Sequence, residues 1–198
     1  RGLYDFDYGD TSGMTPIVKM HTLGHDFVPA PIHAGGLRYH GMAPTLCGLY
    51  NAGLIEAIAI PQVEVFEAGV LFARSEGILP APESSHAIRG AVIEALDAKQ
   101  KGEERVIVFN LSGHGHFDLS AYNAYFNNQL EDYAYPEANV ATIKDHLPRV
   151  TLPAWILHKK IAPANFKTAG AIYNIYQRST GIVTFTQIVR MPDKIRFF

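Results

Sequence analysis

Apolar residues recur at helical spacing in two long stretches. Over 62–75, Val63, Phe66, Val70 and Ala73 fall on one stripe, and Gly77 follows as a stop. Over about 84–101, Ile88, Val92, Ala95 and Leu96 do the same, with Ser84 or Ser85 as a cap and Gly102 as a stop. A shorter helix fits 43–53, with Pro44 in its first turn and Gly53 at its end. Between and after these lie extended pieces. Residues 56–60 read as a short strand and 78–82 as an extended run ending in Pro-Ala-Pro. Residues 105–111, Arg-Val-Ile-Val-Phe-Asn-Leu, form a continuous apolar run with β-branched side chains. That is the signature of a central parallel strand buried on both faces. Asp118 then begins a helix to about 129. Residues 131–150 are acidic, loop-like and then weakly helical. Alternating strands and helices predict an α/β fold with a parallel sheet. The opening 1–19 shows no period and reads as loop, and 21–44 is broken by glycines and prolines around Gly35-Gly36.

Charge divides the chain in two. Residues 1–150 hold 10 Lys/Arg and 18 Asp/Glu, whereas 151–198 hold 7 Lys/Arg and the single acid Asp193. The predicted organisation is therefore one unit over 1–150 and a basic tail over 151–198. Within the tail, 161–176 fits a helix and 181–189 a strand. The formal net charge of −2 argues against a nucleic-acid partner. No uninterrupted apolar run approaches the roughly 18 residues of a membrane span. Cys47 is the only cysteine, so no internal disulfide can form. A cytoplasmic location is the expectation.

Three segments are candidates for chemistry. Ser112-Gly113-His114-Gly115 follows the 105–111 strand, at the end where open α/β sheets bind ligands. Its small residues let a flat ligand approach the backbone, and Ser112 offers a hydroxyl; the bland reading is a glycine turn. Glu83 opens a helix, where the macrodipole alone would justify a carboxylate, or it faces a polar ligand atom. His21, His25, His33 and His40 share an irregular stretch, and His114 and His116 another, but their spacings match no compact zinc pair apart from His21 and His25, which fall in a probable loop. Gly35-Gly36 lacks the strand and the G-x-G-x-x-G or Walker lysine of a phosphate loop.

Taken in order, three runs are far more specific than any one of them. They are Leu-Gly-His-Asp-Phe-Val-Pro-Ala-Pro-Ile-His-Ala-Gly-Gly-Leu-Arg-Tyr-His-Gly at 23–41, Pro-Ala-Pro-Glu-Ser-Ser-His-Ala at 80–87 and Phe-Asn-Leu-Ser-Gly-His-Gly at 109–115. Together they resemble the C-terminal half of the tryptophan synthase beta chain, in its second, longer type. The resemblance covers about 1–150, and the tail matches nothing recognisable. It implies part of a fold-type II enzyme using pyridoxal 5′-phosphate (PLP), which joins L-serine and indole into L-tryptophan and water.

By this resemblance Ser112 would hydrogen-bond the pyridine nitrogen of the cofactor and keep it unprotonated, a weaker electron sink that suits β-replacement. Gly113 would let the ring sit close, and Glu83 would lie beside it. The 36–41 loop would close over substrate. The main-chain carbonyls of Tyr39 and Gly41 would bind a monovalent cation. Arg38 stands where the better-known type has an aspartate that helps closure, so that salt bridge does not carry over. The family's Schiff-base lysine, Gly-Gly-Gly-Ser-Asn phosphate cradle and acid/base glutamate would all precede Arg1. Lys99, Lys101, Lys159 and Lys160 do not match the catalytic position. The expectation is a fragment inactive alone, with a missing N-terminal half or a homodimer partner on an exposed apolar face. Tight pairing with the alpha chain is not expected. The alternatives are a non-catalytic α/β interaction protein and a related PLP enzyme using O-phosphoserine. The tail would be either a fused or out-of-frame extension or a basic arm that binds a partner.

Overall fold

The computed structural model describes residues 2–151, 189–190 and 195–197. Its first element is a hairpin that the hydrophobic pattern hides. Strands β1 (Leu3–Tyr8) and β2 (Ile17–Thr22) pair antiparallel, with Leu3 opposite Thr22 and Tyr8 opposite Ile17. The segment 1–19 reads as loop because its inward position holds an acid. Asp7 is fully buried, and its carboxylate accepts from Thr22 Oγ1 at 2.6 Å and pairs with His25 Nδ1 at 2.7 Å. Partners of this kind make a buried carboxylate tolerable where periodicity alone predicts solvent. The connecting loop is organised by Asp10, which accepts from the Ser12 hydroxyl and from the amide and hydroxyl of Thr15 at 3.0 and 2.8 Å. These bonds, the Ser12 hydroxyl foremost, hold the Asp10 carboxyl well below the usual carboxylate range.

Three helices form where the sequence places them. They are α1 (Pro44–Asn51), α2 (Gln62–Glu76) and α3 (Pro82–Lys101). The last two end at Gly77 and Gly102 in the left-handed conformation. Helix α3 begins two residues before the expected serine cap. Pro82 suits the first helical position, which has no intrahelical use for an N–H, and Ala81 precedes it in extended conformation. Ser84 and Ser85 therefore sit in the first turn and point into the protein.

The buried stripes are also rotated from the simplest reading. Helix α2 buries Val65, Phe66, Ala68 and Gly69, while Val63 is exposed. Helix α3 buries Ala87, Ile88, Gly90 and Ala98, while Leu96 is 57% exposed. The two helices pack on each other, with Gly69 of α2 close against Ser85 of α3, a contact that no large apolar side chain marks.

Residues 56–60 are irregular rather than strand, and no strand among the described residues pairs with them. The run 105–111 is regular only over β3 (Val106–Val108). Its Ile107 packs against Ala87, as do Phe109, Ile60 and Ala91, while Val106 and Val108 are 63% and 42% exposed. One face of β3 is thus covered where burial of both was expected. Helices α4 (Leu119–Phe126) and α5 (Glu137–His146) follow.

Strands β4 (Val189–Arg190) and β5 (Ile195–Phe197) complete a three-stranded sheet in the order β3, β5, β4, with β3 and β5 parallel and β5 and β4 antiparallel. The chain is therefore mixed α and β. The tail helix expected at 161–176 lies outside the described residues, as does all but Val189 of the expected strand at 181–189. No helix among the described residues is long and apolar enough to cross a membrane.

Candidate functional site

The 112–115 loop is fastened to the segment entering α3 by a short antiparallel bridge. Pro80 faces His114, the Ala81 amide donates to the Gly113 carbonyl at 2.9 Å, and the Gly115 amide donates to the Leu79 carbonyl at 2.8 Å. The fit requires glycine. A Cβ on Gly115 would stand 2.5 Å from the Pro80 carbonyl oxygen, and one on Gly113 would stand 3.2 Å from the Ala81 Cβ. Sequence reasoning singled out the two segments separately, and the bridge brings them together.

Behind the bridge is a core of aromatic and small residues. Phe66, Ala121 and Tyr122 are buried, with Leu79, Val70, Tyr125 and Leu130 against them. Phe66 meets Tyr122 edge-on at 5.0 Å between ring centroids. The Tyr122 hydroxyl donates to the Pro80 carbonyl at 2.7 Å, so the core holds the strand from behind. Burial pushes the Tyr122 hydroxyl above its ordinary range and keeps it a donor. Gly69 of α2 makes room for this contact, since a Cβ there would lie 2.7 Å from both the Tyr122 and Ser85 hydroxyl oxygens.

The two serines of α3 divide their work. The Ser85 hydroxyl donates back to the Ala81 carbonyl at 3.0 Å within the helix. Fully buried Ser84 faces the loop, accepting the Gly113 amide at 2.9 Å and contacting Ser112 Oγ at 3.0 Å. Ser112 itself is exposed, with its hydroxyl against that of Ser84. The sequence offers Ser84 or Ser85 as a cap; the signal for Ser84 is its position two residues after Pro82, in the first turn of the helix.

Glu83 lies beside this pair and is half-buried. Its Oε1 accepts the Gly36 amide at 2.8 Å, which ties the 35–41 loop to the start of α3. A Cβ on Gly36 would crowd the Glu83 side chain at 3.1 Å. Tyr39 and Gly41 lie further along this loop. Tyr39 is 70% exposed, and Gly41 bridges Thr22 of β2, the adjoining His40 carbonyl accepting from the Leu23 amide at 2.7 Å. No contact joins Tyr39 or Gly41 to Ser112 among the described residues.

Asp118, at the start of α4, feels the same neighbourhood. Burial raises its carboxyl above the usual range and the charge of Glu83 adds to this, against the opposing influence of His114 and His33. His86, one turn into α3, is held below the ordinary histidine range by burial, and its Nδ1 donates to the Pro82 carbonyl at 2.8 Å. The described residues include no group of three or more His, Cys, Asp or Glu able to hold a metal ion.

The wall thus offers an exposed serine, a carboxylate fixed by a backbone amide and a backbone without a side chain at 113. Such a wall can bind the edge of a flat, polar ring and let the ring approach the backbone.

No family model matches the chain. Among curated proteins it is 65% identical over 132 residues to tryptophan synthase beta chain 2 of Aquifex aeolicus and 63% identical over 131 residues to that of Methanosarcina mazei. It is 60% identical over 133 residues to the tryptophan synthase beta chain of Pyrococcus horikoshii. These matches take in 66 to 67% of this chain and 29 to 30% of each relative. The chain therefore spans about three tenths of the length of the curated relatives it matches. Over two thirds of its own length, it is homologous to part of the tryptophan synthase beta chain.

Proposed function

We propose that residues 1–150 form one wall of the catalytic domain of a PLP-dependent enzyme that joins L-serine and indole into L-tryptophan. The observation that carries this reading is the Ser112-Gly113 rim beside Glu83, in a segment that matches tryptophan synthase beta chains at about 60% identity or better. The residues present fit the cofactor. Gly113 lies close on Ala81, where a Cβ would stand 3.2 Å away, and the adjoining Ser112 is exposed with a hydroxyl that can meet a ring nitrogen. When bound, PLP supplies the electron sink that lets the serine hydroxyl leave and indole take its place.

The chain's own contribution is positioning. Ser112 holds the ring edge, Gly113 sets its distance from the wall, and Glu83 fixes the 35–41 loop over the same face. That loop closes over substrate, and the carbonyls of Tyr39 and Gly41 bind a monovalent cation within it. The finer architecture in this reading is a parallel layer of fold type II, shared with the remainder of the catalytic domain. The Schiff-base lysine and phosphate cradle come from that remainder, so the wall does not catalyse by itself.

The test is tryptophan formation from indole and L-serine with added PLP. The full chain is assayed alone and mixed with the part of the Aquifex aeolicus relative that it does not match. Activity is expected in the mixture and not from either part, and Ser112→Ala should lower kcat about tenfold or more. O-Phospho-L-serine in place of L-serine reports the donor preference. Two soluble parts that neither bind PLP nor form tryptophan together would favour a non-catalytic interaction protein.

A further inference from the structure

We propose that Ser84 is a positioning residue that orients the Ser112 hydroxyl, so that the Ser112 proton points out of the wall as a donor. This rests on the cofactor reading above, with the ring nitrogen at Ser112.

The argument is a count of protons and lone pairs. Ser84 is fully buried, so water cannot complete its bonding. A serine hydroxyl has one proton to give and two lone pairs to fill. One lone pair of Ser84 Oγ takes the Gly113 amide at 2.9 Å. Two acceptors compete for its proton, the Gly113 carbonyl at 3.3 Å and Ser112 Oγ at 3.0 Å. The Gly113 carbonyl already accepts the Ala81 amide at 2.9 Å, so it gains less from a second, longer bond. In the reverse arrangement Ser112 would donate into the second lone pair of Ser84, and the Ser84 proton would be left with only the 3.3 Å carbonyl contact, longer than a usual O–H···O bond; the shorter 3.0 Å contact therefore takes the proton to Ser112. Ser112 Oγ then has a lone pair occupied on its protein side, and its own proton is left for the open side.

Ser85 cannot substitute, because its hydroxyl is committed to the Ala81 carbonyl and lies beside Tyr122. The chain Gly113 amide to Ser84 to Ser112 thus runs in one direction and presents a donor at its end. A donor selects an acceptor, here an unprotonated ring nitrogen. A protonated ring would need Ser112 to accept instead, which reverses the Ser84 bond and leaves the Ser84 proton to the longer 3.3 Å contact with the Gly113 carbonyl. Each bond in such a chain polarises the next.

The experiment uses the full chain mixed with the unmatched part of the Aquifex aeolicus relative and loaded with PLP labelled with nitrogen-15 in the ring. The readout is the ring-nitrogen chemical shift as a function of pH. In the unsubstituted chain the ring nitrogen should stay unprotonated through neutral pH. Ser84→Ala should move its protonation midpoint upward and weaken PLP binding about tenfold, the order expected for one lost hydrogen bond. Ser84→Thr keeps the hydroxyl and should restore the midpoint. Ser84→Cys, close in volume with a weaker donor, gives the same reading as alanine should the alanine variant fail to fold. An unmoved midpoint in Ser84→Ala and Ser84→Cys, with a moved one in Ser112→Ala, overturns the role of Ser84 and leaves the cofactor placement standing. A midpoint unmoved even by Ser112→Ala overturns both.

Discussion

Glycine carries the closest contacts at the scale of single residues. At Gly115 the neighbour is a backbone carbonyl, which cannot swing away, and at Gly69 it is a pair of buried hydroxyls. Gly115→Ala should destabilise by about 3 kcal/mol, at the upper end of the overpacking range, and Gly69→Ala by about 1–2 kcal/mol because hydroxyls can shift. Urea titration of both variants checks the order. A Gly69→Ala loss equal to or above that of Gly115→Ala would contradict it.

Asp118 offers a second test at this scale. Its folded-state carboxyl titrates above the ordinary value, chiefly because it is partly desolvated. The folded state therefore holds its proton to higher pH than the unfolded state. Stability is lost as pH rises from the ordinary carboxylate value through the raised one, and the cost is constant above. Asp118→Asn removes it. The variant should melt above the unsubstituted chain at neutral pH, and the difference should vanish at a pH below the ordinary carboxylate range. A less stable variant at neutral pH would mean that the carboxylate's attraction to the N-terminus of α4 outweighs its burial.

Among elements, the helices were legible and the strands were not, for a physical reason. A helix of 15 or 20 residues repeats its pattern over several turns, so α2 and α3 survive a rotated stripe. A strand of three residues such as β3 has no room for a period, and its apolar run does not reveal that only one face is covered. The β1/β2 hairpin was hidden by Asp7, whose burial depends on Thr22 and His25 across and beyond the hairpin. The candidate site was legible as motifs. The Ser84 to Ser112 contact was not, because it joins residues 28 apart across a bridge that no local pattern announces. The bridge between Pro80 and His114 is held from behind by Tyr122, so Tyr122→Phe should lose about 1 kcal/mol and loosen the 112–115 loop. Faster hydrogen exchange at the Gly113 and Gly115 amides would report the loosening. Unchanged exchange would confine the role of that hydroxyl to satisfying a carbonyl.

For the whole molecule, the telling feature is apolar surface near the candidate site. Phe117 is 91% exposed and Leu119 59%, both just beyond the 112–115 loop. Single exposed apolar side chains are ordinary, but neighbouring ones beside a candidate site mark a surface that something covers. The matched segment is about three tenths of each relative, so in those proteins most of the chain is available to pack against it. The full chain by itself should therefore self-associate as concentration rises, with a broad melt. Phe117→Ser should shift sedimentation toward monomer without lowering the melting temperature, because Phe117 contributes little buried area. Adding the unmatched part of the Aquifex aeolicus relative should suppress self-association by covering the same surface. A chain that stays monomeric at all concentrations and melts in one sharp transition would show that these side chains tolerate water. The partner surface would then have to be sought away from the Ser112 rim.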